Sequence, residues 1–312
     1  MPFRIAAAQV DALPSGADPA LFERQARRLL ERNDGVDLLA FPEVHLFGPT
    51  GDTGAAARSA ELRRAAVDLD GPLVAELRAI AARLGVWLVP GTLVERGPGQ
   101  EVYNTALVLT PQGEIAGTYR KIFPWRPFEP YRPGDRFAVV DVPGHGRLGL
   151  SICYDAWFPE VARHLAWYGA DIVLNLVKTT SDDREQEVVL ARANSIVNQV
   201  FTVSVNCAGP EGRGRSLVVD PEGGVLAESA DAAETLLVVD LDVGHVARVR
   251  AGGTAGVNRM WSQFRDGDEP IELPLYAGRM DPATWHPSTH SSSHRPDLAA
   301  PSASPLRKAA SR

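Results

Sequence analysis

The amino-acid sequence predicts an α/β fold in which strands and helices alternate. Near the N-terminus, apolar strand-like runs at 3–10, 36–41 and 86–91 are separated by helix-like stretches at 21–32 and 72–84. This alternation is typical of a sheet that is covered by helices. The chain has 312 residues, of which 45% are hydrophobic and 23% charged, so it can bury a large core.

The middle of the chain begins with a predicted β-hairpin. Apolar runs at 102–109 and 113–121 flank a Pro-Gln-Gly turn. Further strands and helices are predicted at 137–142, 147–152, 159–170, 171–177, 184–199, 201–206, 215–220 and 235–241. No internal repeat or linker interrupts this series, so we expect a single domain over residues 1–285.

The last part of the chain differs in composition. Residues 286–312 are rich in Ser, Pro and Ala and lack periodic apolar positions, which predicts a disordered tail. His286, His290 and His294 recur every fourth residue and would align on a helix as metal ligands. Because Pro and Ser oppose that helix, no metal site is predicted here.

Charge and cysteine content exclude several classes of function. The formal net charge is -7, which argues against nucleic acid or an anionic membrane as the main partner. Only Cys153 and Cys207 are present, so a secreted disulfide scaffold is not expected. No run approaches the roughly 18 apolar residues of a membrane span. We therefore expect a cytoplasmic protein.

Cys153 lies where an apolar strand meets a helix, in RLGLSICYDAWFPEVARHL. A thiol at such a turn is exposed at the sheet edge, near free backbone N–H groups that can hold an oxyanion. The alternative is a small apolar filler, a common role for buried cysteine. Cys207, within VSVNCAG, is interpreted as such a filler.

A thiol nucleophile needs a base, and Glu43 is a candidate. It follows the apolar strand VDLLAF, at the end of a strand where α/β sheets place their ligand sites. Partial desolvation there raises a carboxyl pKa and makes a better base. His45 could also reach this edge, and an exposed loop role for Glu43 remains open.

Lys121 and Glu129 lie in a third segment, GTYRKIFPWRPFEPYRPGD. A lysine beside a thiol favours the thiolate and can stabilise an anionic tetrahedral intermediate. A surface lysine at a strand end is the alternative. The dense Pro and aromatic context, which includes Trp125, is typical of a loop that forms a pocket wall.

These three segments together resemble the nitrilase superfamily of carbon–nitrogen hydrolases. The motifs are FPE at 41–43, YRK at 119–121 and CYDAWFPE at 153–160, in the family's order, and the resemblance runs from residue 3 to about residue 241. It implies a four-layer αββα sandwich, no metal or organic cofactor, and a homodimer or larger homo-oligomer.

The resemblance also implies roles for individual residues. Glu43 is the general base, Cys153 the nucleophile and Lys121 the cation that stabilises the intermediate. KIFPWRPFE places Glu129 at the second glutamate of the aliphatic amidase and formamidase branch, where it positions the substrate amide. The Tyr154 backbone N–H would join Lys121 in the oxyanion hole.

The residues after the cysteine favour an amidase. Nitrilases carry Cys-Trp-Glu at this point, whereas this chain has Cys-Tyr-Asp. Trp157 and Phe158 suggest an apolar wall that accepts a neutral or apolar acyl group. Three arginines could still reach the pocket from elsewhere: Arg126, Arg132 and Arg184.

The sequence therefore predicts hydrolysis of a small carboxylic amide to acid and ammonia. The main alternative is an N-carbamoyl amine hydrolase, which releases CO2 and ammonia and which the same triad permits. A nitrilase, a glutamine-hydrolysing domain and a non-catalytic binding subunit are less favoured. A binding subunit would be expected to lack a triad residue, and no triad residue is missing.

Overall fold

The computed structural model describes residues 2–50, 54–273 and 278–280, and the predicted tail at 286–312 lies outside them. The strands in this part are β1 (Phe3–Gln9), β2 (Leu38–Ala40), β3 (Trp87–Val89), β4 (Thr92–Arg96), β5 (Val102–Leu109), β6 (Ile115–Arg120), β7 (Val139–Val142), β8 (Gly146–Ile152), β9 (Ile172–Val177), β10 (Phe201–Asn206), β11 (Leu217–Val219), β12 (Val225–Glu228), β13 (Thr235–Leu241), β14 (Ile271–Leu273) and β15 (Gly278–Met280). The α-helices are α1 (Pro19–Leu30), α2 (Ala55–Ala65), α3 (Pro72–Leu84), α4 (Pro159–Trp167), α5 (Arg184–Asn198) and α6 (Gly244–Gly252).

Two sheets form the centre of the molecule. The first has seven strands in the order β13-β1-β2-β3-β5-β4, with β6 paired to β5, and the second has six in the order β12-β11-β10-β9-β8-β7. In the first sheet β1, β2 and β3 run parallel. In the second, β8, β9 and β10 run parallel. The parallel strands thus occupy the middle of each sheet.

The two sheets pack face to face and each carries helices on its outer face. Residues such as Ile5 from β1 and Leu150 from β8 share one apolar core between the sheets. On the outer side of the first sheet, Phe22 of α1 and Leu77 of α3 pack in a second core. Leu165 of α4 covers the outer side of the second sheet. These layers are the predicted αββα sandwich.

Local sequence explains where several helices begin and end. Asp18 precedes α1, and its side chain accepts a hydrogen bond from Ala20 N at 2.9 Å, while Pro19 fits the first turn, where its missing N–H costs nothing. Helix α3 ends at Gly85, whose φ of 69° is left-handed and suits glycine. None of the helices in the described ranges is long and apolar enough to cross a membrane.

The predicted elements are largely present, with shorter strands. The hairpin is confirmed, because β5 pairs antiparallel with β6, with Thr105 opposite Arg120. Helix α2 escaped prediction because AAARSAELRRA has no regular apolar stripe. Strand β4 and helix α6 also escaped prediction. Helix α2 bears on function, since it lies beside the site described below.

Candidate active site

Glu43 lies in a loop just beyond β2, and backbone hydrogen bonds fix this loop to both sheets. Phe41 N donates to Val89 O at 2.9 Å in the first sheet, and Glu43 N donates to Val177 O at 3.3 Å in the second. The Glu43 side chain is 2% exposed. Its carboxylate is therefore held at the edge where β2 and β9 end.

Three donors hold the Glu43 carboxylate. Oε1 accepts hydrogen bonds from Asn104 Nδ2 at 2.7 Å and from Lys121 Nζ at 3.0 Å. Oε2 accepts one from Lys178 N at 2.9 Å. These donors hold the carboxylate in one orientation, as a general base requires.

Lys121 joins the two glutamates. It directly follows β6, is fully buried, and its backbone N donates to Asn104 O at 2.9 Å. Besides its bond to Glu43, its Nζ donates to Glu129 Oε1 at 2.9 Å and to Oε2 at 2.8 Å. The predicted alternative of a surface lysine is therefore wrong.

Glu129 is held by its own turn. Glu129 N donates to Trp125 O at 2.9 Å, and Trp125 N donates back to Glu129 Oε2 at 2.8 Å. The Pro-rich loop is thus closed on itself and presents a carboxylate to Lys121. This is the physical basis for the eight-residue spacing between the lysine and the second glutamate.

Cys153 begins a 3-10 turn (Cys153–Trp157) directly after β8. Its φ is 47°, in the left-handed region that non-glycine residues rarely adopt. Such strain is commonly found at functional sites, where the surrounding structure imposes it. An interaction with the Cys153 thiol lowers the pKa of the Glu43 carboxyl, and burial outweighs it.

A buried aspartate fixes the cysteine turn. Asp155 is fully buried and its Oδ2 accepts hydrogen bonds from Ile152 N at 3.0 Å and from the Tyr119 hydroxyl at 2.8 Å. Its Oδ1 accepts one from Phe123 N at 2.9 Å. The carboxylate therefore ties the end of β8 to β6 and to the loop after Lys121.

The electrostatics of the cluster favour a charged lysine and a neutral thiol. Burial lowers the pKa of Lys121, but the carboxylates of Glu43 and Glu129 outweigh it and hold the pKa well above its usual value. Burial, aided by the Glu43 carboxylate, raises the pKa of the Cys153 thiol well above its usual value. Cys153 at rest is a thiol that needs a base.

Glu43 has the properties of that base. Burial raises its pKa, Lys121 opposes the rise, and Glu129 adds to it. A carboxylate with a raised pKa binds a proton more readily, so it accepts the thiol proton more easily than an exposed glutamate. His45 is unsuited to this role, since burial and Lys178 lower its pKa to about 3. Its Nε2 lies 2.8 Å from Gln25 Oε1.

A cavity of about 320 Å³ adjoins the two glutamates. It is lined by Glu43, Val44, Pro49, Arg58, Ser59, Leu62, Trp125, Phe128, Glu129, Pro130, Tyr131, Lys178, Thr180 and Glu211. Trp125 is one of these residues, and its contact with substrate stays a prediction. Tyr154, Trp157 and Phe158 are not among the lining residues.

These three aromatic residues pack with each other and with the neighbouring loop. Phe158 stacks on Phe123 with ring centroids 3.7 Å apart, and Tyr154 meets the edge of Phe158 at 5.3 Å. Trp157 lies 6.0 Å from Tyr154. Substrate contact by these residues, including an oxyanion bond from Tyr154 N, stays a prediction.

The three arginines also lie away from this cavity's lining. Arg184 is buried and bonded to Glu187 at 2.9 Å, whereas Arg132 pairs with Glu101 at 3.1 Å near the surface. Arg126 is likewise not a lining residue. Within the described ranges, no group of three or more His, Cys, Asp or Glu side chains is arranged to hold a metal ion.

Several residues of the site were not singled out from the sequence. Asn104 is a polar side chain in the apolar strand β5, and Tyr119 and Asp155 lie within the YRK and CYD segments. A polar residue at a buried strand position is a usable signal, because it needs a partner there. The Lys178 backbone N–H offers no such signal.

Comparison with known proteins identifies the family of this chain. The carbon-nitrogen hydrolase family model matches residues 4–251. A formamidase of Pseudomonas syringae pv. syringae is 34% identical over 70% of this chain and 64% of its own length. One from Bradyrhizobium diazoefficiens is 31% identical over 80% of this chain and 76% of its own. The chain spans about two thirds of the length of such relatives.

Solved structures of known proteins also match the fold of this chain. A mutant of the Nesterenkonia AN1 amidase, from the nitrilase superfamily, is 32% identical, with a TM-score of 0.64 over 80% of this chain and 94% of that one. Saccharomyces cerevisiae Nit3 has a TM-score of 0.71 over 82% of this chain and 96% of its own, at 23% identity, and shows the fold alone. The fold is that of the nitrilase superfamily. The chain belongs to its carbon-nitrogen hydrolase family.

Proposed function

We propose that this chain hydrolyses a small linear amide to a carboxylic acid and ammonia through a thioester on Cys153. The observation that carries the proposal is the buried ion pair network in which Lys121 bridges Glu43 and Glu129, while Asp155 ties the turn of Cys153 to the loop after Lys121. Such a network is costly to bury, so a structural role alone is a poor explanation for it.

The first half of the reaction forms the thioester. Glu43 takes the proton of the Cys153 thiol as the sulfur attacks the amide carbon. The new oxyanion rests on the Lys121 ammonium and the Tyr154 N–H. The carbon–nitrogen bond then breaks, and the proton on Glu43 passes to the leaving nitrogen, so ammonia departs and the thioester remains.

The second half releases the acid. Glu43, again ionised, removes a proton from water as the water oxygen attacks the thioester carbon. The carbon–sulfur bond breaks, the carboxylic acid leaves, and the proton returns to sulfur. Relatives support the proposal in two ways: the formamidases do so by name, and in a glutamate-to-glutamine mutant of the Nesterenkonia amidase the active-site cysteine carries the acetamide moiety of fluoroacetamide, so the cysteine of that relative is nucleophilic.

Ammonia release by purified variants tests the proposal. The wild type should release ammonia from a panel of short amides, Cys153→Ala should release none, and Cys207→Ala should keep activity. Cys207 is a matched control because it is the other free cysteine and is buried. Full activity in Cys153→Ala would overturn the proposal. Release of CO2 with the ammonia would point to a carbamoyl substrate instead.

We further propose that the protein forms a homodimer or larger homo-oligomer. Its α5 helix exposes apolar side chains, with Val189 65% and Ile196 43% exposed, and Leu226 of β12 is 45% exposed. Apolar patches of this kind are typical of protein interfaces. Val189→Glu should lower the mass in light scattering, whereas Ile115→Glu, on the other sheet, should not; an unchanged mass in Val189→Glu would contradict this interface.

A cytoplasmic location is also proposed. A thiol nucleophile must stay reduced, and cytosolic glutathione and thioredoxin keep thiols reduced. Both cysteines are free. Fractionation of the native host's cells should place the protein with cytosolic markers, and recovery with an exported fraction would contradict this.

A further inference from the structure

A second buried ion pair lies in the first turn of helix α5 and has no part in the reaction steps given above. Arg184 Nη1 pairs with Glu187 Oε2 at 2.9 Å, and the two residues are 3% and 6% exposed. Taking two charges out of water is costly, and apolar residues of similar volume often give equal or greater stability. The pair is therefore a candidate for a role in function.

The Arg184 guanidinium is fixed to the second sheet and to the loop after β10. Its Nε donates to Gly214 O at 3.1 Å, and its Nη2 donates to Arg215 O at 2.8 Å. Nη2 also donates to Ser204 Oγ on β10 at 3.2 Å. Because the guanidinium is held in this way, it can fix the Glu187 carboxylate in one position.

The Glu187 carboxylate in turn holds the segment that follows β9. Thr179 Oγ1 donates a hydrogen bond to Glu187 Oε2. The backbone N of Thr179 donates to Asn206 Oδ1 at 2.9 Å, and Thr179 is only 4% exposed. The hydroxyl and the backbone N–H of this threonine are therefore both bonded to buried acceptors.

This segment carries a donor to the proposed general base. Lys178, directly before Thr179, donates its backbone N–H to Glu43 Oε2 at 2.9 Å. Since the two residues share a peptide group, a displacement of Thr179 would shift the Lys178 N–H relative to the carboxylate. The orientation of Glu43 thus depends on how firmly Thr179 is held.

The charge of Glu187 also acts on the nucleophile. Burial and then the Glu43 carboxylate raise the pKa of the Cys153 thiol, and Lys121 opposes them. The Glu187 carboxylate raises this pKa further, as does that of Glu129. Loss of the charge on Glu187 would therefore favour the thiolate.

We propose that Glu187 is a positioning residue of the active site, which acts through Thr179 to keep the Lys178 N–H on the Glu43 carboxylate. The inference rests on the proposed amidase function, in which Glu43 is the base. Glu187 is not among the residues that line the cavity, so it acts through these bonds. An N–H donor favours an ionised carboxylate, so the same contact affects how readily Glu43 takes up a proton.

Thr179→Val tests this link and leaves the Arg184–Glu187 ion pair in place. Valine has nearly the shape of threonine but lacks the hydroxyl. We expect kcat to fall roughly tenfold with KM little changed. The acidic limb of kcat/KM should move to higher pH, because a weaker bond from Lys178 N makes Glu43 easier to protonate. Thr179→Ser keeps the hydroxyl and should restore both quantities.

Ser181→Ala is the matched control for the loss of a hydroxyl. Ser181 lies in the same loop, and its Oγ donates to Asp183 Oδ1 at 2.7 Å instead of to Glu187. This variant should keep the wild-type kcat and acidic limb. An unmoved acidic limb in Thr179→Val, or equal losses of kcat in Thr179→Val and Thr179→Ser, would overturn the proposal.

Thiol alkylation tests the placement of Glu187 and needs no amide substrate. Iodoacetamide should label Cys153 roughly threefold or more faster in Glu187→Gln than in the wild type at the same pH. Glu185→Gln is the control, since Glu185 lies on the same helix and pairs with Arg215 at the surface. Its labelling rate should be that of the wild type.

The two readouts separate this inference from the proposed function. A wild type that releases ammonia from none of the short amides would overturn the amidase function, and the labelling rates would still report on Glu187. An active wild type with equal Cys153 labelling in Glu187→Gln would overturn the inference alone. Peptide mass spectrometry assigns the label to Cys153 or to Cys207.

Discussion

The Tyr119 hydroxyl donates a hydrogen bond to Asp155 Oδ2 at 2.8 Å, so the strand that leads to Lys121 is tied directly to the turn that carries Cys153. The two residues are 36 positions apart in the chain. Tyr119 lies on β6 of the first sheet, and Asp155 lies in the turn that follows β8 of the second. The Asp155 carboxylate also accepts from Ile152 N, just before Cys153. Cys153 and the loop after Lys121 are thereby tied to one buried carboxylate.

Tyr119→Phe should therefore impair the chemical step more than substrate binding. Loss of the hydroxyl removes one of the donors to Asp155 and loosens the turn, and small misplacements of reacting groups can cost up to about 100-fold in rate. We expect kcat to fall roughly tenfold or more with KM little changed. Steady-state kinetics on one good amide measure this.

The control for that variant is Tyr103→Phe. Tyr103 lies on β5 with its ring 3.9 Å from Arg120 Cζ and away from Asp155. It should keep wild-type kcat. If Tyr119→Phe raised KM and left kcat intact, or if both variants behaved alike, Tyr119 would not position the nucleophile.

Activity should be lost on acidification at a higher pH than an ordinary glutamate would give. Burial raises the pKa of Glu43 above 4.5, and only its ionised form accepts the thiol proton. The acidic limb of kcat/KM should thus have an apparent pKa above 4.5. Glu43→Gln should lower kcat by about 100-fold or more and abolish this limb. A wild-type limb at or below the ordinary value would refute Glu43 as the base.

Glu129→Gln should weaken catalysis without unfolding the protein. Glutamine keeps an acceptor for Trp125 N but removes one of the two carboxylates that hold the Lys121 ammonium. We expect kcat/KM to fall by about 100-fold and thermal stability to change little. Glu101 forms a surface pair with Arg132, so Glu101→Gln is the control and should leave kcat/KM unchanged. Unchanged kcat/KM in Glu129→Gln would remove this residue from the catalytic set.

His45 should make stability depend on pH below neutrality. Its pKa is lowered from 6.5 to about 3 in the folded state, so the unfolded chain binds a proton that the folded chain does not. The free energy of unfolding therefore has its full value above pH 6.5, and protonation of His45 in the unfolded chain lowers it as the pH falls toward about 3. The contribution to the slope is roughly 1.4 kcal/mol per pH unit for one proton.

Urea unfolding between pH 7 and pH 5 measures that slope. His45→Gln, which keeps a polar group near Gln25 Oε1, should reduce the slope by about one proton. His245, which pairs with Glu222 at the surface, is the control, and the slope of His245→Gln is compared with that of His45→Gln. An unchanged slope in His45→Gln would show that His45 is not the group that takes up the proton.

Much of the fold and the residues of the candidate site can be predicted from the sequence. Strand ends are easy to locate from apolar runs, and polar residues directly after them gather at one edge, which predicts that Glu43, Lys121 and Cys153 lie together. Glu129 followed from its loop and from the resemblance. The four-layer packing came from the resemblance, because periodicity does not say how two sheets face each other.

The remaining parts of the site depend on contacts between distant residues, which no short sequence motif predicts. Lys178 N reaches Glu43 across 135 positions, through a backbone group that every residue has. Trp157 and Phe158 follow Cys153 closely, yet they pack with Tyr154 and Phe123 and are not among the residues that line the cavity. Leu62 lies on a helix without an apolar stripe. Such features emerge only from tertiary structure.

The most direct test of the account is to trap the acyl-enzyme. Wild-type protein quenched in acid during turnover of a good amide should carry the acyl mass on the peptide that contains Cys153, and the mass should be absent in Cys153→Ala. Peptide mass spectrometry distinguishes this site from Cys207. Rapid ammonia release with no acyl mass on Cys153, or with that mass on another residue, would contradict the thioester mechanism.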